Sequence, residues 1–351
     1  MARRAAAVEV IPRLFQPGKV PLVSVEGTAY ECGRHYAEIA TEKYPGYRRY
    51  LDQAYAWRRL GRRVERLFER RAPYIPEVFR GLWEVAGPPA GMAKGPGRGG
   101  CTSFGVSGSI TLDGNPISGQ TKDTPPPSAV QYIVLRMRIK EGPTILVLAY
   151  PGEVLGYGLW TTGMSIFRNA LFSTAGAKKG LTMVQWGILA LAGKSVDEAV
   201  EMAGEFGITD AGNCLISDAG GKSCSVEFNV GGVGILTAKD GIATHANHPE
   251  AEETVPFENY PDKEEREDSG YRMHGLWRLL NAERGRLTAQ KAMMLLADHT
   301  RYPRGICRHQ PGAEERYNLV TSAAVVAEPT LGRLHVVRGN PCCNWATTHT
   351  A

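Results

Sequence analysis

The spacing of hydrophobic residues separates helical blocks of the chain from strand blocks. Residues 34–86 follow a helical period, in which Leu60, Val64 and Leu67 fall on one stripe that continues to Phe68, with arginines around the rest. Further helical patterns follow in the second half of the chain. The predicted helices there span residues 183–192, 195–206, 273–281 and 288–297.

Strand patterns lie between the helical blocks. Continuous or alternating apolar runs predict strands at 101–106, 131–140, 144–150, 213–236, from 242 onwards, 320–327 and 333–337. Asp113-Gly114 marks a hairpin turn, and Gly220-Gly221 and Gly231-Gly232 mark two more. Residues 251–269 are rich in Asp and Glu and are expected to form an acidic loop. This order of elements predicts an α+β fold, a sandwich of two β layers with helices outside.

Composition places the chain among globular proteins. It has 351 residues, 43% of them apolar, and a net charge of +5, which suffices for a large core and excludes disorder. The longest apolar runs, 144–150 and 186–192, are far shorter than the roughly 20 residues of a membrane span. The opening MARRAAAVEV has no apolar h-region because Glu9 interrupts it. We therefore expect a cytoplasmic protein with no membrane partner.

Positive charge is concentrated at residues 58–71. Such a basic helix is a candidate surface for a nucleic acid or an anionic cofactor. Glu65 and Glu69 are interspersed with the arginines, and no aromatic interleaving or recognition motif accompanies them. The pattern favours a solvated helix face, and we expect no nucleic-acid partner.

Cys101 is set apart from the other six cysteines by its position. The seven cysteines form no CxxC pair, so neither a disulfide scaffold nor a standard zinc motif is indicated. Cys101 follows the Gly/Pro-rich segment 87–100 and begins a predicted strand. Gly100 has no side chain to obstruct attack on its carbonyl, so Cys101 could cut its own upstream peptide bond by an N-to-S acyl shift. The freed α-amine, with a pKa of about 7.7–8.0, could then accept the thiol proton.

Several segments resemble one family. Gly100-Cys101-Thr102-Ser103 resembles the processing site of the acyl-coenzyme A:6-aminopenicillanic acid acyltransferase family, N-terminal-nucleophile (Ntn) hydrolases that mature by cutting before that cysteine. Residues 27–33, 118–123, 167–171, 245–248 and 306–308 resemble further landmarks of the family in the same order. The resemblance covers about residues 22–340. It implies an Ntn-hydrolase αββα sandwich and self-cleavage between Gly100 and Cys101.

The resemblance also implies roles for individual residues. Cys101 would be the nucleophile, and Asp123 would be the carboxylate beside its amine. Asn247 would donate to the oxyanion, with help from Asn169. Arg308 would support Asp123 electrostatically. We assign Lys122, Thr102, His245 and Ser269 to substrate binding. Lys122 departs from the Asn-aromatic-Asp triplet that is frequent in the family, and this leaves the preferred acyl group open.

Two other classes of function compete with this hypothesis. A metal site could use His245 and His248 with Cys307 and His309. An HxxH pair at a strand-to-turn junction places its two rings poorly for one ion, so we expect no metal and no cofactor. The second alternative is a non-catalytic relative that uses the sandwich as a binding module. The chain has no Walker loop, no GxGxxG after a strand and no GxSxG.

The sequence thus predicts a precursor that is cut into two associated pieces. Residues 1–100 would be a mostly helical pro-segment, the α-subunit, and residues 101–351 a β-subunit with the catalytic core. Acyl transfer through a thioester on Cys101 would use a small amide or acyl thioester as donor and an amine or water as acceptor. Delivery of the acyl group by coenzyme A or a carrier protein stays open, as does assembly into a homo-oligomer.

Overall fold

A computed structural model describes residues 18–89, 100–125, 131–174, 176–177, 179–260, 263–309 and 319–351. In these ranges two β-sheets lie face to face and α-helices cover their outer faces. The strands are β1 (Leu22–Gly27), β2 (Gly100–Val106), β3 (Ile117–Thr124), β4 (Ile133–Ile139), β5 (Thr144–Ala149), β6 (Tyr157–Trp160), β7 (Met164–Asn169), β8 (Gly212–Asp218), β9 (Ser223–Asn229), β10 (Gly232–Thr237), β11 (Ile242–His245), β12 (Val320–Glu328), β13 (Arg333–Arg338) and β14 (Thr347–Thr350). The helices are α1 (Ala29–Lys43), α2 (Arg48–Ala54), α3 (Arg62–Arg71), α4 (Tyr74–Ala86), α5 (Met183–Ala192), α6 (Val196–Phe206), α7 (Lys263–Ala282) and α8 (Ala289–Leu295).

The two sheets differ in the number and order of their strands. The larger has eight strands in the order β1-β4-β5-β6-β7-β8-β9-β10, and the smaller has six in the order β11-β2-β3-β12-β13-β14. Neighbouring strands are antiparallel apart from β1, which runs parallel to β4. In the smaller sheet β2 and β3 lie side by side, with Gly100 opposite Asp123 and Cys101 opposite Lys122.

Alternation along the strands builds three apolar layers. Between the sheets, Val134 and Leu148 of the larger sheet pack with Val325 of the smaller one. The next residue of β4, Leu135, faces the opposite way into the layer beneath α1 and α4–α6. On the other side of the molecule, Phe104 packs beneath α7 and α8. The predicted α+β fold, an αββα sandwich, is confirmed.

Residues before position 100 form an integral part of this sandwich. Strand β1 is an edge of the eight-stranded sheet, and α1 and α4 pack against that sheet. The two helices approach closely at two glycines, because a Cβ on Gly33 would lie 2.0 Å from the Val78 carbonyl oxygen and one on Gly81 2.3 Å from that of Tyr30. The parts of the chain before and after residue 100 therefore belong to one sandwich, and the division into two associated subunits at that point stays a prediction.

Apart from the start of α7, the predicted elements after residue 100 are found within a few residues of their expected bounds. The sequence patterns missed β1, β6, β7 and β14, and the hairpin turn at Asp113-Gly114 was the one sign of β3. The prediction of an acidic loop over residues 251–269 is wrong for its last part, because α7 already begins at Lys263. Glu264 and Glu265 lie in its first turn, where the positive end of the helix dipole favours acidic side chains.

Two sequence features fall largely outside the described residues. These are the opening MARRAAAVEV and most of the Gly/Pro-rich segment 87–100. The stripe on the basic helix, by contrast, is described and faces the core, with Leu67 and Phe68 buried. None of the helices in the described ranges combines the length and the apolar composition of a membrane span.

Candidate active site

The Cys101 side chain lies between the two sheets. It is the second residue of β2, an inner strand of the smaller sheet, and it is 1% exposed. Side chains alternate along β2, so Ser103 shares the inter-sheet face with Cys101, while Thr102 and Phe104 face α7. The strand therefore presents Cys101 to β3 and to the inner face of the larger sheet.

Three atoms of Cys101 each have a polar side chain as a partner. The backbone N–H donates to Asn247 Oδ1 at 3.0 Å. Lys122 Nζ lies 3.5 Å from Sγ. Arg272 Nη1 donates to the backbone carbonyl oxygen at 2.7 Å. These contacts come from β3, from the loop after β11 and from α7, so three separate elements converge on one residue.

Lys122 holds a positive charge next to the sulfur. Its Nζ donates to the Tyr157 hydroxyl at 2.9 Å and lies 4.3 Å from the centre of that ring. Burial opposes the charged form, but Cys101 and the phenols of Tyr157 and Tyr150 raise the pKa of Lys122 well above its usual value. A cation at this distance stabilises a thiolate. The substrate contact expected for Lys122 stays a prediction.

Asp123 lies beside the predicted cleavage point. Its Oδ2 would be 2.9 Å from a Cβ at Gly100, so a side chain on residue 100 would collide with this carboxylate. Oδ1 accepts a hydrogen bond of 2.7 Å from the Thr321 hydroxyl, whereas Oδ2 has no hydrogen-bond partner among the described residues. Burial raises the pKa of Asp123, and Arg308 and Arg272 partly offset that effect.

Asn247 connects Cys101 to the loop after β11. Its Oδ1 accepts from Arg272 Nη2 at 2.9 Å as well as from Cys101, and its Nδ2 donates to the Ala170 carbonyl at 2.8 Å. The amide carries a second hydrogen on Nδ2. The backbone N–H of Asn247 donates to Ser269 Oγ at 2.9 Å, and His248 Nδ1 lies 2.8 Å from the same hydroxyl. Ser269 thus fixes the conformation of the Asn247 loop.

Arg272 is a site residue that the sequence patterns did not indicate. It is 1% exposed and lies one helical turn after Asp268, to which its Nε donates at 2.9 Å. Arg308 Nη2 pairs with Asp268 and with Glu265, each at 3.0 Å. Burial raises the pKa of Asp268, but the two arginines outweigh it, so the net shift is downward. Arg308 therefore acts on the site through Asp268 and, electrostatically, on Asp123.

Asn169 lies in a polar cluster next to Ser103. Its Nδ2 donates to Ser103 Oγ at 2.8 Å and lies 3.5 Å from His245 Nδ1. His245 Nε2 is 2.6 Å from Glu227 Oε1, and both side chains are fully buried. His245 Nδ1 is also 2.9 Å from the Ala246 carbonyl oxygen.

Three residues assigned to substrate binding are satisfied by the protein itself. Thr102 Oγ1 accepts from Arg272 at 2.7 Å, Ser269 binds the Asn247 loop, and His245 binds Glu227. All three side chains are fully buried. The structure gives each a positioning contact, because their polar atoms face neighbouring elements of the fold, and the substrate contacts expected for them stay predictions.

No family model and no curated protein matches the sequence. Some solved structures are similar in fold. A mutant of the conjugated bile acid hydrolase from Clostridium perfringens aligns with a TM-score of 0.46 and 11% identity over 72% of this chain and 97% of its own. A second variant of that hydrolase gives 0.41 and 10% over 73% and 92%. Penicillin V acylase from Agrobacterium tumefaciens gives 0.43 and 14% over 68% and 83%. At these identities and TM-scores the similar structures say nothing about the chemistry, which has to be argued from the residues of the site.

Proposed function

We propose that this protein is an Ntn-type enzyme that cuts itself before Cys101 and then cleaves or forms linear amide bonds through a thioester on that residue. The observation that carries the proposal is the convergence on Cys101. Its nitrogen, sulfur and carbonyl oxygen contact Asn247, Lys122 and Arg272 respectively. The pairing of β2 with β11 stops at Ser103, so side chains from two elements take the place of a strand at the Cys101 backbone, and a buried cation lies at its sulfur.

The first reaction is self-cleavage. The Cys101 thiolate attacks the Gly100 carbonyl carbon, the C–N bond breaks, and the nitrogen leaves with the proton that the thiol gave up. Water then hydrolyses the thioester, so Gly100 ends in a carboxylate and Cys101 begins with an α-amine. Because residue 100 is glycine, the carbonyl carbon is open to attack and the Asp123 carboxylate fits beside it.

The second reaction uses the new α-amine. Its pKa of about 7.7–8.0 leaves part of it neutral at pH 7, so it can accept the thiol proton. The thiolate attacks the acyl carbon of the substrate, the leaving amine or thiol takes that proton, and an acyl thioester remains on Cys101. Water or an amine then attacks the thioester and restores the free thiol.

Neighbouring side chains supply the electrostatics of both reactions. Lys122 stabilises the thiolate from 3.5 Å. Asp123 Oδ2 can pair with the ammonium form of the amine that replaces the Gly100–Cys101 peptide. The second Nδ2 hydrogen of Asn247 is suited to an oxyanion, while Arg272 and Ala170 fix the orientation of that side chain.

A panel of N-acyl amines and acyl thioesters, tested with and without amine acceptors, distinguishes hydrolysis from transfer. Wild-type protein should turn over at least one class and, when quenched, carry the acyl mass on the peptide that begins at Cys101. Cys101→Ala should show neither turnover nor adduct. Cys343→Ser, at an exposed cysteine, is the matched control and should behave like wild type. Turnover that survives in Cys101→Ala contradicts the proposal.

A further inference from the structure

Four side chains from two distant parts of the chain meet on the side of the smaller sheet that faces α8. His299, Cys307 and His309 belong to the segment between α8 and β12, and Cys342 follows β13. Each offers one ligand atom, and the four atoms all lie within 4.8 Å of one another. The cluster is separate from Cys101 and none of its members has a part in the proposed reaction.

Four of the six separations between the ligand atoms are close to those around a tetrahedral ion, and the two between His299 and the sulfurs lie within 4.8 Å. Zinc held at about 2.3 Å by sulfur and about 2.0–2.1 Å by nitrogen puts two sulfurs about 3.8 Å apart, sulfur and nitrogen about 3.6 Å apart, and two nitrogens about 3.3 Å apart. The Cys307 and Cys342 sulfurs are 3.7 Å apart. His309 Nε2 is 3.6 Å from the first sulfur and 3.4 Å from the second. The Nε2 atoms of His309 and His299 are 3.0 Å apart.

Hydrogen bonding alone does not account for this arrangement. His309 Nε2 faces two sulfurs and another imidazole nitrogen at once, and one ring nitrogen carries at most one hydrogen. A single cation at the centre would satisfy all four atoms together. Two thiolates and two imidazoles in tetrahedral geometry select zinc over calcium or magnesium, which prefer oxygen ligands.

A second layer of contacts supports the cluster. Asn340 is fully buried and donates from Nδ2 to Cys307 Sγ at 3.4 Å and to the Arg308 carbonyl at 2.8 Å. Hydrogen bonds to a ligating sulfur are typical of metal sites. The Tyr302 ring packs beside the His309 ring, with 5.6 Å between the two ring centres.

We propose that His299, Cys307, His309 and Cys342 bind one zinc ion that ties the segment before β12 to the segment after β13. Four protein ligands leave no open position, so the site is structural and not catalytic. Arg308 lies between two of the ligands, and its backbone N–H donates to Thr321 Oγ1 at 2.8 Å. The Thr321 hydroxyl donates in turn to Asp123. The ion would thus fix the backbone that supports the Asp123 side of the site.

The four residues weighed as a metal site from the sequence do not all meet in the fold. His245 and His248 bind Glu227 and Ser269, whereas Cys307 and His309 find His299 and Cys342. The cysteine that completes the cluster is 35 positions from Cys307 along the chain. Only the fold brings it there.

Metal content and zinc affinity of the whole purified chain test this proposal. Protein stripped with a chelator under reducing conditions should take up one zinc per chain, measured by native mass spectrometry and by competition with a chromophoric chelator. Cobalt(II) in place of zinc should give the strong visible bands of a tetrahedral sulfur–nitrogen site. Zinc should also raise the Tm, since it binds the folded state.

The variants isolate the ligands. Cys342→Ser and His299→Gln change exposed ligands and should lower zinc affinity by more than the roughly 10- to 100-fold that loss of a second-layer partner costs. Cys343→Ser alters the neighbouring exposed cysteine, which is not a ligand, and should keep wild-type affinity. Wild-type protein without zinc uptake, or full affinity in both ligand variants, overturns the proposal. Self-cleavage, measured separately, tests the proposed function independently.

Discussion

Arg272 joins strand β2, which carries Cys101, to the helical layer. One guanidinium contacts the Cys101 carbonyl, the Thr102 hydroxyl and Asn247 Oδ1, and it is held by Asp268. Its planar set of donors matches four acceptors that lie in different directions, which a lysine ammonium cannot reproduce. At the scale of one residue, the orientation of both Cys101 and Asn247 therefore depends on a side chain outside the reacting atoms.

Arg272→Lys should keep the buried charge but misplace Asn247 and the Cys101 backbone. We expect kcat for the best amide or thioester substrate to fall by about 100-fold, the loss that a displacement of about 1 Å can cause. The Tm should change less than it does in Arg272→Met, which removes one of the two arginine partners of Asp268. Arg278→Lys, exposed on the same helix, serves as the control. Wild-type kcat in Arg272→Lys would show that this residue does not position the site.

Helix α7 shows what sequence patterns could and could not predict. The core stripe at its C-terminal end was visible, because Met273, Leu276 and Leu280 recur at helical spacing. Its first turns were predicted as an acidic loop, since their charges carry no apolar stripe. The missed residue, Arg272, had one local signal, because Asp268 and Arg272 are an acid and a base four positions apart on one helix face. The prediction of a loop hid that signal.

The buried ion pairs of α7 are expected to contribute to the stability of the fold. Asp268→Asn removes the carboxylate that neutralises two buried arginines, Arg272 and Arg308. Loss of one member of a buried ion pair costs about 3–5 kcal/mol, so the free energy of unfolding in urea should drop by an amount of that order. Glu267→Gln, one residue earlier and exposed, should leave it nearly unchanged. Equal stability of the two variants would rule out a network that supports the fold.

Long-range pairing accounts for the rest of what the sequence did not indicate. Strands such as β8 and β9 were predictable because their apolar runs are bounded by turn residues such as Gly220-Gly221. Strands β6 and β14 have four residues each, too short for a period to emerge. Contacts such as Lys122 with Tyr157 and Cys307 with Cys342 depend on how sheets and loops stack. No local pattern encodes them.

Across the whole molecule, burial of ionisable groups makes stability depend on pH. Burial lowers the pKa of His248, with His245 and Arg266 acting in the same direction and Glu250 opposing them. The folded state therefore keeps this imidazole neutral where the unfolded chain, with a pKa of about 6.5, already binds a proton. Stability that is present above about pH 6.5 is lost as the pH falls.

Thermal unfolding between pH 8 and pH 5 checks this contribution. The Tm of wild-type protein should decline below about pH 6.5. His248→Gln removes the titrating group and should flatten the decline in that range, whatever its effect on the Tm at pH 8. His35→Gln changes an exposed histidine of α1 and should keep the wild-type slope. An unchanged slope in His248→Gln would assign the pH dependence to other groups.

The position of β1 and α1–α4 in the sandwich bears on the proposed cleavage. These elements precede residue 100, yet they form an edge of the eight-stranded sheet and part of the helical layer that covers it. Cutting one peptide bond leaves their hydrogen bonds and apolar contacts in place. The two pieces should therefore stay together under native conditions and separate only on denaturation.

The intact mass of the purified protein tests the central claim most directly. After denaturation, wild-type protein should give two species, residues 1–100 and residues 101–351, and N-terminal sequencing of the larger one should begin Cys-Thr-Ser-Phe. Cys101→Ala should give one species of 351 residues. A wild-type enzyme that turns over substrate while its chain remains uncut, with no new N-terminus at Cys101, would contradict the account.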